Sequence, residues 1–307
     1  MSRLKDRQIA VLMGGPGSER PVSLAATGAV SGALRELGAI VTEVDVTGDD
    51  FVLPEGTQLA FINLYGTYGE DGQIQRELER RGIPYTGEGV RGSELAFDKI
   101  ESKHCFVRAG VPTPAFEVAA PGQTPTLPLP YVIKAPKEGS SVGIYMVKTP
   151  EEVAPAVAEA AKYERLLVEE YVPGRELTVS VLRDEALPII EIRPRNGFYD
   201  FKNKYPFLDP QGKGAADHFC PAPLDEATTR RVQELALAAR AALGLRVYSR
   251  VDFLLRPDGE AVVLEINTIP GMTQSSLLPE AAAAAGIGFP QLCERIIDLS
   301  LTARSVP

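Results

Sequence analysis

The chain has 307 residues, of which 44% are hydrophobic and 24% charged, with a net charge of −9 and a pI near 5.0. That composition describes a globular protein of two or three domains and argues against nucleic acid as a main partner. Cys105, Cys220 and Cys293 are scattered without a CxxC pair, and His104 and His218 are the two histidines, so neither a zinc site nor a disulfide framework is indicated and a histidine triad is not expected.

In chain order, Ile9–Met13 reads as a buried strand, Gly14–Glu19 as a glycine-rich turn, and Ser23 as the N-cap of a helix. Strands follow at Ile40–Val46 and Leu59–Leu64, then a helix from near Gly72 to Arg81. This alternation predicts a parallel, doubly wound α/β domain over 1–88. A helical pattern over Leu95–Ala109 carries Asp98-Lys99, and Pro121–Pro130 reads as a loop. Tyr131–Lys134, Ile144–Val147 and Arg165–Glu170 read as strands and Pro150–Lys162 as a helix, giving an α+β module over 89–171. A third module, 172–307, holds a strand at Leu177–Leu182, a polar aromatic loop at Gly197–Tyr205, a long helix at Leu224–Leu243, a strand pair, and a helix at Phe289–Leu301. The polar N-terminus carries no leader pattern and no apolar run is long enough to span a bilayer, so the expected location is the cytoplasm, without a membrane partner.

The strand pair concentrates the chemistry. Arg250-Val-Asp252 precedes a Pro-Asp-Gly turn, after which Glu265-Ile-Asn267 sits inside an apolar run. Residues two apart on a strand leave from one face, so Glu265 and Asn267 point together and Asp252 can join them from the neighbouring strand. Two carboxylates and an amide oxygen form the hard donor set that suits Mg²⁺. Solvated acids on an amphipathic hairpin fit worse, because these residues interrupt apolar sequence. Gly139-Ser140-Ser141-Val-Gly143 follows a strand ending in Lys134 and reads equally as a phosphate-covering loop or a plain hairpin turn. The Glu169–Glu176 segment suits a purine edge and a ribose hydroxyl, or a hinge. Phe198–Tyr205 mixes aromatics and lysines as a functional loop would.

Taken together these segments resemble the ATP-grasp ligases, and among them the D-alanine–D-alanine ligase family. The matching motifs run in order: Gly-Gly…Ser-Glu19-Arg-x-Val-Ser23, Gly69-Glu-Asp-Gly72, Tyr85-Thr-Gly-x-Gly89, Asp98-Lys99, Lys134…Gly139–Gly143, Phe198-Tyr-Asp…Lys204-Tyr205, Arg250-x-Asp252 and Glu265-x-Asn267-Thr-x-Pro-Gly271. The resemblance implies an ATP-grasp fold that clamps ATP between the central and C-terminal modules and ligates two D-alanines through an acyl phosphate. It implies that Lys99, Lys134, Ser140, Ser141 and Lys204 hold phosphates and that Glu169, Val172 and Glu176 hold adenosine. Asp252, Glu265 and Asn267 would hold two Mg²⁺ (or Mn²⁺). Glu19, Tyr65, Lys204, Ser276 and Leu277 would take the amino acids, and Arg250 and the Gly271 N–H the oxyanion. Tyr205 would reach Ser140 and Glu19 to close the site. It implies a homodimer as well.

One departure stands out. The family usually carries Leu-His-Gly where this chain has Leu64-Tyr65-Gly66, and a tyrosine carries no positive charge near neutral pH. That leaves room for the same scaffold with another amino acid or D-lactate as second substrate. A non-catalytic nucleotide binder sits poorly with the full Arg250/Asp252/Glu265/Asn267 set, and a nicotinamide oxidoreductase with the missing GxGxxG.

Overall fold

The computed structural model of the chain describes residues 2–139, 142–195, 216–273 and 275–305. Strands β1 (Gln8–Gly14), β2 (Ile40–Val46) and β3 (Leu59–Ile62) pair in parallel, in the order β2-β1-β3. The inner parts of β1 and β3 are continuous apolar runs, as strands covered on both faces should be. The order reverses at β1, and a parallel sheet that reverses leaves a crevice outside the C-terminal ends of the strands at the reversal. Here those ends lead into Gly14–Glu19 and Asn63–Glu70.

Helix α1 (Arg20–Glu36) starts earlier than Ser23 suggests: Glu19 occupies the cap position and Pro21 lies in the first turn, where its missing N–H is no loss. Ser23 is buried instead. Its hydroxyl accepts from Gly14 N at 2.8 Å and donates to the Asn63 carbonyl, joining the ends of β1 and β3. Helix α2 (Gln73–Arg80) follows Gly72 as expected.

The helical pattern around Asp98 is two helices, α3 (Val90–Phe97) and α4 (Lys99–Arg108). Asp98 is extended, and its carboxylate caps α4 by accepting from Ile100 N (3.0 Å) and Glu101 N (3.3 Å). Lys99 therefore opens α4. The central sheet is antiparallel, in the order β4-β7-β5-β6, from β4 (Phe116–Ala119), β5 (Tyr131–Lys134), β6 (Ile144–Val147) and β7 (Leu166–Glu170). Helix α5 (Pro150–Ala160), with a Thr149/Glu152 capping box, packs on it.

The C-terminal sheet runs β11-β10-β8-β12-β13, from β8 (Arg175–Leu182), β10 (Ile190–Pro194), β11 (Ala216–Phe219), β12 (Tyr248–Leu255) and β13 (Ala261–Asn267), with the short β9 (Glu185–Ala186) on β8. Helix α6 (Glu226–Leu243), capped by Asp225, covers it. Helices α7 (Leu277–Ala284) and α8 (Phe289–Ser305) turn back onto the first sheet: Leu278, Leu292 and Ile296 share one apolar cluster with Leu12, Val30 and Phe61. The buried Glu88 carboxylate adds a polar tie, accepting from Arg246 N at 2.9 Å and Val247 N at 2.7 Å.

Candidate active site

Two cavities meet at the β12–β13 pair. The larger, about 500 Å³, lies between the central and C-terminal sheets and is lined by Lys134, Met146, Glu169, Val172, Glu176 and Leu254 among others. Its chemistry centres on Glu169, which is 1% exposed and ion-paired to both Lys103 and Lys134. Burial pushes the Glu169 pKa up, but the charges of the two lysines outweigh it and hold the carboxylate below its ordinary value. Burial moves Lys103 the other way: together with the charge of Lys134 it lowers that pKa against the pull of Glu169. Lys103 also donates to Thr113 Oγ1 at 2.5 Å. Sequence reasoning missed Lys103, although it lies four residues after Lys99 and so on the same helix face.

At the junction, Asp252 and Glu265 are register partners across β12–β13, and Arg250 and Asn267 pair two positions along, on the same face. Asp252 accepts a fork from Arg250 (Nε to Oδ1 2.9 Å, Nη2 to Oδ2 2.8 Å), and further bonds from Thr178 Oγ1 (2.6 Å) and Asn267 Nδ2 (3.1 Å). Lys99 Nζ lies 3.1 Å from Glu265 Oε2 and donates to the Glu138 carbonyl at 2.7 Å. Burial works against the Lys99 ammonium, yet Glu265 above all, with Glu169 and Glu70, raises its pKa above the ordinary lysine value. The trio expected from sequence is thus together, with Arg250 and Lys99 compensating the two carboxylates. Two carboxylates and a side-chain amide on adjacent strands are a hard donor set that fits a divalent ion, which would take the carboxylates over from Lys99 and Arg250. Among the described residues no group of three His, Cys, Asp or Glu side chains is placed to hold a metal ion, and this set has two carboxylates plus an amide.

The smaller cavity, about 60 Å³, is lined by Glu19, Tyr65, Glu70, Arg250, Gly271, Ser276 and Leu277 among others. It occupies the crevice that the strand order predicts. Glu19 is 6% exposed, and its carboxylate lies against the backbone of Gly66 (φ +66°) and Gly139, so closely that a Cβ at either position would overlap it. Any larger residue at Gly66 or Gly139 would displace the acid. The Tyr65 hydroxyl donates to Asn63 Oδ1 (2.6 Å) and accepts from Met272 N (3.0 Å). Ser276 Oγ accepts from Thr273 N at 3.0 Å, and Leu277 opens α7, where the first N–H groups have no intrahelical acceptor and suit a carboxylate.

Glu70 lines the same cavity and was given no role from sequence, though it sits inside the Gly69–Gly72 motif. Its carboxylate accepts from Gly66 N (3.0 Å) and Ile269 N (3.2 Å). Burial, and next the charge of Glu19, push its pKa up to about 8. The expected roles of Ser140, Ser141, Lys204 and Tyr205, and the loop Phe198–Tyr205, lie outside the described residues. Among the described residues, no helix is long and apolar enough to cross a membrane.

A family model described as D-ala D-ala ligase C-terminus matches residues 114–298, more than half of the chain. A D-alanine--D-alanine ligase of Methylacidiphilum infernorum is 48% identical, spanning 96% of this chain and 95% of that relative. One from Pelobacter propionicus is 47% identical, spanning 98% and 99%. Among solved structures, D-alanine--D-alanine ligase from Bacillus anthracis complexed with ATP is similar at a TM-score of 0.82 and 31% identity, over 98% of this chain and 99% of that one. VanG D-Ala:D-Ser ligase from Enterococcus faecalis is similar at a TM-score of 0.82 and 27% identity, over 96% and 100%.

Proposed function

The chain belongs to the D-alanine–D-alanine ligase family, and we propose that it joins two D-alanines at the expense of ATP, through an acyl phosphate, to supply D-alanyl-D-alanine for peptidoglycan precursors in the cytoplasm. The observation that supports this most directly is Glu265, which lines both cavities: the large cleft and the small, acid-lined pocket open on either side of one side chain. A phosphoryl group leaving a nucleotide in the first would arrive beside a carboxylate in the second.

In this reading Lys99, Lys134, Ser140, Ser141 and Lys204 hold the phosphates, and Val172, Glu176 and the Glu169 segment hold adenosine. Glu169 also keeps Lys134 in place. Asp252, Glu265 and Asn267 hold two Mg²⁺ or Mn²⁺ ions, which when bound neutralise charge on the transferred phosphoryl group. Glu19, beside Glu70, attracts the ammonium of the first D-alanine. The first carboxylate takes the γ-phosphoryl group, and the amine of the second D-alanine attacks the resulting carbonyl. Arg250 and the Gly271 N–H stabilise the oxyanion, a contribution of about 3–4 kcal/mol per donor. Ser276 and the Leu277 N–H, at the start of α7, take the second carboxylate. Tyr205 with Ser140 closes the site, since an acyl phosphate open to water would hydrolyse. The units involved are 1–88, 89–171 and 172–307, in a homodimer.

A second reading keeps the scaffold and changes the second substrate. Tyr65 in place of the family histidine supports it, and a D-Ala:D-Ser ligase is among the similar structures. The deciding experiment is phosphate release from Mg-ATP with D-Ala, L-Ala, D-Ser, and D-Ala plus D-lactate. Release with D-Ala and dipeptide by mass is expected. Silence with D-Ala but release with another member would move the assignment to the second reading, and silence throughout would end both.

A further inference from the structure

We propose that Tyr65 is a positioning residue that holds the oxyanion-binding turn in register, and so keeps phosphoryl transfer coupled to peptide-bond formation. This rests on the ligase reading above. The turn around Gly271 follows β13, and two groups from the loop that follows β3 grip its flanks. Glu70 accepts from Ile269 N on one side, and the Tyr65 hydroxyl accepts from Met272 N on the other. Tyr65 itself is aimed. Its hydroxyl gives its proton to Asn63 Oδ1, which leaves lone pairs directed at Met272. Asn63 cannot swing away, because its amide nitrogen donates to Ser23 O (3.0 Å) and Thr27 Oγ1 (3.1 Å) in the buried first turns of α1.

The consequence is geometric. With the Met272 N–H engaged by Tyr65, the backbone beside Gly271, which lines the pocket, is held in place. Ser276 is tied in turn to Thr273, by the Thr273 N–H at 3.0 Å and by the two hydroxyls 2.7 Å apart. A donor must sit where the oxyanion develops, so a loosened turn loses transition-state stabilisation more than it loses substrate affinity. The acyl phosphate then outlives its partner's attack. Water adds to its carbonyl carbon, the carbon–oxygen bond to phosphate breaks, and D-alanine and phosphate are released without dipeptide.

The test is Tyr65→Phe, which keeps the ring and deletes the hydroxyl. The expected result is at least a threefold rise in phosphate released per dipeptide and about a tenfold fall in kcat for dipeptide, with the ATP KM within twofold of the parent. A uniformly damaged protein would lower both products together. A Phe variant that releases one phosphate per dipeptide overturns the proposal. If that variant does not fold, Asn63→Ala decides: without the acceptor of its proton the Tyr65 hydroxyl is no longer aimed at Met272 and uncoupling is expected, whereas an Asn63→Ala variant coupled like the parent overturns the proposal. A parent protein that makes no dipeptide fails the ligase reading instead, and the two failures are distinct.

Discussion

The two cavities are built on opposite electrostatic plans. Around the larger one each charge has its counterpart in place: Glu169 between Lys103 and Lys134, Glu265 with Lys99, Asp252 with Arg250. The smaller one sets two buried acids, Glu19 and Glu70, near each other; burial first, and then the charge of Glu19, raises the pKa of Glu70. Under the proposed function, an ammonium would bind at the Glu19 carboxylate in the pocket, while in the cleft an ion and phosphates would take over partners now held in ion pairs.

Breaking each side in turn sharpens the contrast. The largest effect is expected from Glu265→Ala, which belongs to both cavities: phosphate release at saturating Mg-ATP should fall about 10⁴-fold, near 5 kcal/mol of barrier. Unchanged turnover would remove Glu265 from the metal set. Next comes Glu169→Gln, which leaves Lys103 buried without its counter-charge. Breaking a buried pair costs about 3–5 kcal/mol, to be read from urea unfolding. A loss below 1 kcal/mol would mean that the frame of charges is not structural.

On the other side, Glu19→Gln removes the ammonium's partner. The D-alanine KM should rise about 30-fold, roughly 2 kcal/mol, with the ATP KM unchanged. An ATP KM that rises in step would show that the pocket and cleft are not separable. The smallest effect concerns Glu70. Its folded pKa is raised, so the folded state holds the extra proton. Its contribution to stability is intact below the ordinary value near 4.5 and is lost as pH rises through about 8. Glu70→Gln should therefore melt a few degrees above the parent at pH 8.5, with the gap closing by pH 5. A gap that is flat with pH would deny the raised pKa of Glu70.

Much of this was legible in the chain. The β12–β13 pair could be read outright, because period-two geometry and an apolar run leave Glu265 and Asn267 no other arrangement. Lys134, at the end of a short strand, was legible for the same reason. Helix limits were less so: Ser23 looks like a cap, yet Pro21 starts the helix earlier and sends the serine inward. Strands β4, β9, β10 and β11 were not read at all. β11 is an outer strand of half-exposed residues, and β10 ends in Arg193 and Pro194, so neither carries a clean pattern. Lys103 and Glu70 were invisible as functional groups because burial, which gives each its charge problem, is a property of the packed state.

The sequence by itself determined the family, the acid-and-amide pattern of the β12–β13 hairpin, and the alternation of the first domain, since these depend on residue types at short, regular spacing. Tertiary structure decided what meets across long separations. It brought Met272 to Tyr65, Gly139 to Glu19, and α7 and α8 onto the sheet of the first domain. Such meetings follow from chain topology and close packing, which no local pattern encodes.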